Sequence, residues 1–143
     1  MREHMGLYRG KRKDNGEWVQ GSLVLWEDGS ASINISTVAP MYAVDPDTVG
    51  ECTGLTDKNG KLIFEGDIIK YHEPFVMKAT GVVCFGQHQW SGNSNVGFYM
   101  KWVIAELPDI LRTDLGFWCN ERDVVVIGNV HDNPELLGGG DNG

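Results

Sequence analysis

Cysteine is scarce in this chain. Cys52, Cys84 and Cys119 stand far apart with no CxxC pair, which argues against a disulfide framework and leaves three reduced, buried thiols acting as small apolar residues. Long apolar runs are missing too. Nothing approaches the roughly 18 consecutive apolar residues of a membrane span. The start MREHMGLYRGKRK has charge but not the apolar core of a signal peptide, so a cytoplasmic protein without membrane association is expected. Positive charge is short: 12 basic residues face 20 acidic ones, for a net charge of -8. That balance opposes close approach to phosphates unless the few cations cluster. No Gly-x-Ser-x-Gly, His-Glu-x-x-His or phosphate-binding glycine loop occurs, which removes the commonest sequence grounds for an enzyme. Triads assembled only by folding would leave no such trace.

What is abundant is glycine, 19 of 143 residues, well above the typical share of roughly 7%. Most of these glycines separate short runs of β-branched and aromatic residues, the pattern of many tight turns between short strands. Hydrophobic residues make up 41% of the chain and charged residues 22%, near the averages for a globular protein. The length fits one domain that buries close to two thirds of its unfolded surface without a metal or a disulfide.

Along the chain, Leu7 to Arg12 reads as a strand and Asp14-Asn15-Gly16 as a hairpin turn, because Asn-Gly accepts positive φ angles. A second strand runs from Glu17 to Trp26, with Gly21 marking a bulge, and Glu27 to Ser30 closes another hairpin. Ser32 to Ser36 alternates polar and apolar residues, as a strand with one wet face does. Asp45-Pro46-Asp47-Thr48 reads as a helical turn with Asp45 as N-cap and Pro46 at its first position.

A second hairpin signal, Asp57-Lys58-Asn59-Gly60, precedes the turn Glu65-Gly66-Asp67 and the strand Ile68 to Tyr71. Gly81 to Phe85 is a further strand, Asn93-Ser94-Asn95 a polar loop, and Val96 to Ile104 a strand again. The one longer helix expected covers Ala105 to Arg112, with Pro108 in its first turn. Asp123 to Ile127 has the unbroken apolar run of a strand buried on both faces. Pro134 to Leu137 suggests a closing helical turn, and residues 138–143 a disordered tail. The fold expected is mostly β: a small, partly open, barrel-like domain of the SH3-like roll type, with long hairpins and one or two short helical turns. It spans residues 1–137, and a division into two lobes near residues 50–61 is left open.

Each chemical motif has a plainer reading. Glu65 and Asp67 flank a glycine and suit a metal or acid–base pair, but Asp and Gly at the start of a strand more often make turn hydrogen bonds. Asp57 to Gly60 lacks the regular oxygen ligands and terminal glutamate of a calcium loop. His72, His88 and His131 with Cys84 or Cys119 have no zinc spacing. No metal or cofactor is expected. Trp90, Phe98, Tyr99 and Trp102 suit a stacking platform for bases or a proline-rich peptide, though core packing claims most large aromatics. Arg9, Lys11, Arg12 and Lys13 form the one local basic run, which contacts phosphates or simply protects an exposed strand edge.

Tyr8-Arg9-Gly10, Gly16-Glu17-Trp18-Val19, Gly21 and Val44-Asp45-Pro46 with Thr48-Val49-Gly50 resemble the opening of the YopX family of phage and prophage proteins. The centre is more specific: Thr53-Gly54-Leu55, Asp57, Asn59-Gly60-Lys61, Ile63 and Glu65-Gly66-Asp67-Ile68-Ile69 match its signature stretch. Ile127-Gly128-Asn129-Val130 with Asn133-Pro134-Glu135-Leu136-Leu137 resembles its closing motif, while residues 73–122 match nothing in it. The resemblance implies an all-β, barrel-like fold without an established activity, and a structural role for Gly54, Asp57, Asn59, Gly60, Glu65, Gly66, Asp67, Gly128, Asn129 and Pro134. The leading expectation is a non-enzymatic, phage-encoded accessory protein that binds an unidentified protein or assembles with itself. The alternatives are a nucleic-acid module using the aromatic cluster and the basic hairpin, and a hydrolase or metal-dependent enzyme using Glu65 and Asp67.

Overall fold

Strand-forming runs separated by tight turns do produce a mostly β molecule. A computed structural model describes residues 6–35, 41–73, 77–90, 92–105 and 113–138, a few of them, Trp90 included, in backbone alone. The strands form two antiparallel sheets, and among the described residues neither closes into a barrel. The chain divides into two compact units, Met1–Gly54 and Leu55–Gly143.

In the first unit, β1 (Tyr8–Lys11), β2 (Trp18–Leu25), β3 (Ala31–Asn34), β4 (Met41–Val44) and β5 (Gly50–Thr56) lie in the order β4-β3-β2-β1-β5. Alternation along β3 sends Ala31 and Ile33 inward, where they meet Val44, Tyr8, Val19, Leu23 and Val49. Asp45 caps the short helical turn Pro46–Thr48 by accepting from the Asp47 N–H. The buried Thr48 then accepts from the Lys11 N–H at 2.9 Å and donates to the Asp45 carbonyl at 2.6 Å. Gly21 does not form a bulge: β1 and β2 stay in regular register through Tyr8↔Gly21. Its role is close approach, since a Cβ there would sit 2.3 Å from the Asn34 carbonyl oxygen of β3.

In the second unit, β5 ends in the hairpin whose other arm is β6 (Leu62–Phe64). The second sheet has the order β10-β7-β8-β9, built from β7 (Asp67–Glu73), β8 (Met77–Trp90), β9 (Asn93–Ala105) and β10 (Val124–Asn129). Its core gathers Ile63, Ile69, Tyr71, Ala79, Val83, Met100, Leu115, Trp118 and Val124. Trp118 meets Tyr71, Trp102 and Phe117 with ring centroids 5.1, 5.0 and 5.3 Å apart.

Two expectations give way here, and a third falls almost wholly outside the described residues. Asn93 to Asn95 are not a loop; they pair with Trp90, Gln89 and His88, and Gly92 just before them is in a turn. Polar side chains are tolerated there because the hairpin end is wet, and Gln87 Nε2 donates to Ser94 Oγ across the strands at 3.0 Å. Ala105 closes β9, and the rest of the expected 105–112 helix lies outside the described residues; the helix observed is α1 (Leu115–Glu121), which buries Leu115 and Trp118. β10 is not buried on both faces. Among the described residues it is an edge strand, and a bulge between Val126 and Gly128 drops Ile127 out of the pairing with β7, leaving it 36% exposed.

Candidate functional site

Two places gather the residues of interest, both in the second unit. The first is the distal half of the β8–β9 hairpin. β7 accompanies β8 only as far as Val82, so beyond the Tyr99↔Asp114 bridge, out to Trp90↔Asn93, the two strands form a two-stranded ribbon among the described residues. Alternation gives it two faces. One continues the core face outward from Val83 and Met100: Phe85 packs edge-on against Phe98 at 5.0 Å, and Val96 lies opposite Gln87. Phe85 is 52% exposed and Val96 73% exposed. The other face carries Cys84, Tyr99 and His88, the His88 ring stacked on Tyr99 at 4.8 Å and its Nδ1 3.3 Å from the Gly86 carbonyl oxygen. Burial raises the Cys84 thiol and the Tyr99 hydroxyl, which share a hydrogen bond, above their ordinary pKa values.

The second place is the turn cluster formed by the family-like motifs. Asp57 Oδ1 accepts from the N–H groups of Asn59 and Lys61 at 2.9 Å each, and Oδ2 reaches across to the Val126 N–H of β10 at 3.0 Å. The Lys58 N–H donates to the Val124 carbonyl beside it. Burial works to raise the Asp57 pKa, but the three amides outweigh it and hold the carboxyl below its ordinary range. Asp67, 1% exposed, accepts from the Phe64 N–H at 2.8 Å, closing the turn through the half-buried Glu65. Gly66 donates to the Val83 carbonyl and accepts from the Val130 N–H. Gly60 and Gly66 have positive φ, as does Gly54, the last residue of the first unit. Asn129 Oδ1 accepts from His131 and Asp132, and Pro134 opens the short helical turn Pro134–Leu137. A Cβ on Gly128 would lie 2.5 Å from Asn133 Oδ1.

Of the four aromatics singled out in the sequence, the three with described side chains do not share one face. Phe98 and Trp102 lie partly buried against the core, and Tyr99 is on the opposite face beneath His88. The Trp90 side chain lies outside the described residues. Sequence reasoning missed Phe85 and Val96, and weighed His88 only as a zinc ligand. Their signal is one of charge: all 20 acidic residues lie outside residues 74–105, where Lys78 and Lys101 are the only formal charges.

In the first unit the basic run is largely engaged. Arg12 makes a two-point pair with Asp14 and lies over Tyr42 at 4.1 Å, while Arg9 is 8% exposed beside Trp18. Among the described residues no three His, Cys, Asp or Glu side chains gather in a way that would hold a metal ion. No disulfide joins the three cysteines, and burial pushes Cys119 up to about 11.

Fold and sites together define a small antiparallel β protein whose motif carboxylates organise turns and whose longest hairpin runs out beyond its sheet. The sequence matches the family described as YopX protein over residues 7–138, and the chain belongs to that family. No curated protein matches it. Among solved structures, protein EF1440 from Enterococcus faecalis is similar at 22% identity over 91% of this chain and 96% of that one, with a TM-score of 0.45.

Proposed function

We propose that this is a phage-encoded accessory protein of the host cytoplasm, non-enzymatic, that works by binding protein on the β8–β9 ribbon. One observation carries the reading: the core face of the sheet continues past the core as Phe85, Phe98 and Val96, with Phe85 and Val96 more than half exposed. The centres of protein interfaces are poor in charge and rich in aromatics, and the acid-free stretch 74–105 has that composition. The carboxylates of Asp57 and Asp67 are committed to backbone amides, which supports a structural use over acid–base work. The Arg12–Asp14 pair and the burial of Arg9 count against a phosphate-binding edge.

The test compares the full chain with a Phe85→Ser, Val96→Ser variant, both immobilised and exposed to lysate of infected host cells. Proteins held by the wild type at moderate salt and lost from the variant are expected. Equal retention by both, or retention of nucleic acid alone with release by salt, would overturn the reading.

A further inference from the structure

The ribbon's backbone bears on what binds it. From residue 84 to 90 on β8 and 93 to 98 on β9, the strands pair with each other, and among the described residues no other strand pairs with either outer edge; the Tyr99↔Asp114 bridge lies at the ribbon's base. Soluble proteins blunt such edges with charge, proline or a covering segment. Residues 84–98 contain no Lys, Arg, Asp, Glu or Pro. The two edges are not equivalent, because on β8 the Gly86 carbonyl is already met by the His88 ring. The outer edge of β9 over Asn93 to Phe98 is about 20 Å of strand, at roughly 3.3 Å per residue, with which no described residue pairs.

Resting on the binding reading above, we propose that the occupant is a second copy of this chain, joined by antiparallel pairing of β9 with its own symmetry mate into a continuous β8-β9-β9-β8 sheet. Charge favours this choice. Copies of a chain with net charge -8 repel one another over most of their surface; the ribbon is where two copies meet without facing carboxylates. Self-complementarity follows from symmetry, since the partner brings the same uncharged edge. The apolar stripe selects the register. Val96 opposite Val96 of the partner subunit, with Ser94 opposite Phe98 of the partner subunit, places both stripes on one face of the joined sheet. The motif carboxylates, being on other strands, take no part.

The experiment is mass in solution by light scattering coupled to size exclusion, on the full chain and on Val96→Lys. Val96 is 73% exposed, so a lysine there leaves the fold intact, checked by an unchanged circular dichroism spectrum and melting temperature, while placing a charge on the edge of each copy. The wild type is expected at twice its 15.8 kDa chain mass and Val96→Lys at the monomer mass. A wild type that stays monomeric at its solubility limit, or a dimer that Val96→Lys leaves intact, would sink the proposal. A monomer that still loses a retained host or phage protein with the ribbon variants would sink only self-pairing and leave the binding reading standing. A monomer whose ribbon variants retain what the wild type retains would end both.

Discussion

Replacing Asp57 by alanine removes one carboxylate that serves three backbone amides, those of Asn59, Lys61 and Val126, at 2.9, 2.9 and 3.0 Å. A hydrogen bond to a charged group contributes about 1.5–3 kcal/mol, and a buried donor left without an acceptor costs about 1–3 kcal/mol. The three do not add. Asn59 lies in an exposed turn where water replaces the lost oxygen, whereas Val126 is half-buried in β10. Asp57→Ala is therefore expected to cost about 2–4 kcal/mol, a large share of the roughly 5–15 kcal/mol of a typical domain. Asp57→Asn keeps one acceptor oxygen and should cost about 1–2 kcal/mol.

Acid provides the second arm. The folded pKa lies below the ordinary 3.8, so the carboxylate's contribution is fully present above that value and is lost as pH falls through the folded pKa. Urea unfolding followed by tryptophan fluorescence, near neutrality and again in acid, should show the gap between wild type and Asp57→Asn narrowing at low pH. A loss under about 0.5 kcal/mol for Asp57→Ala, the range of an ordinary surface substitution, would refute the reasoning. So would an Asp57→Asn penalty that acid leaves unchanged.

Gly128→Ala puts a methyl group 2.5 Å from Asn133 Oδ1 and 3.0 Å from Asn133 Cβ, and the turn must shift to admit it. The expected cost is about 1–3 kcal/mol, read as a lower urea midpoint and partly relieved in the Gly128→Ala, Asn133→Gly double variant; independent, additive losses would show that the contact is not the cause. Trp118→Ala empties the aromatic centre of the second unit, where Trp118 is 3% exposed. It should cost about 3–5 kcal/mol, while Phe85→Ala, at a half-exposed site, should cost far less. Equal losses at the two positions in thermal melts would contradict the division between core and ribbon.

The legible parts of this fold are those whose cause is local. Asp57 to Gly60 turns because a short side chain accepts from the amides ahead of it and Gly60 takes a positive φ. Asp45 and Pro46 start a helical turn because the cap and the fixed proline φ act within a few residues. Those signals mark β1, β2 and β3 to within a residue or two, whereas β4 and the start of β5 carried no expectation of a strand. The misread parts depend on distant partners. α1 has no side-chain cap and holds only by burying Leu115 and Trp118 under the second sheet. The apolar run Val124 to Ile127 looks buried on both faces until the bulge at its end turns Ile127 outward.

The site divides in the same way. The resemblance marked Asp57, Asp67, Gly128 and Asn129, and the turn chemistry around each follows from residue type. That Asp57 also reaches Val126, 69 residues away, is a fact of tertiary structure. The aromatics of residues 90–102 stood out by composition, but only strand pairing sends Phe98 and Trp102 toward the core, Tyr99 to the opposite face, and Phe85 and Val96 into solvent. Short-range order comes from hydrogen bonds and φ preferences that each residue carries with it. Which face of a strand is buried, and where a hairpin outruns its sheet, is settled by what packs beside it, and that neighbour is chosen only when the chain folds.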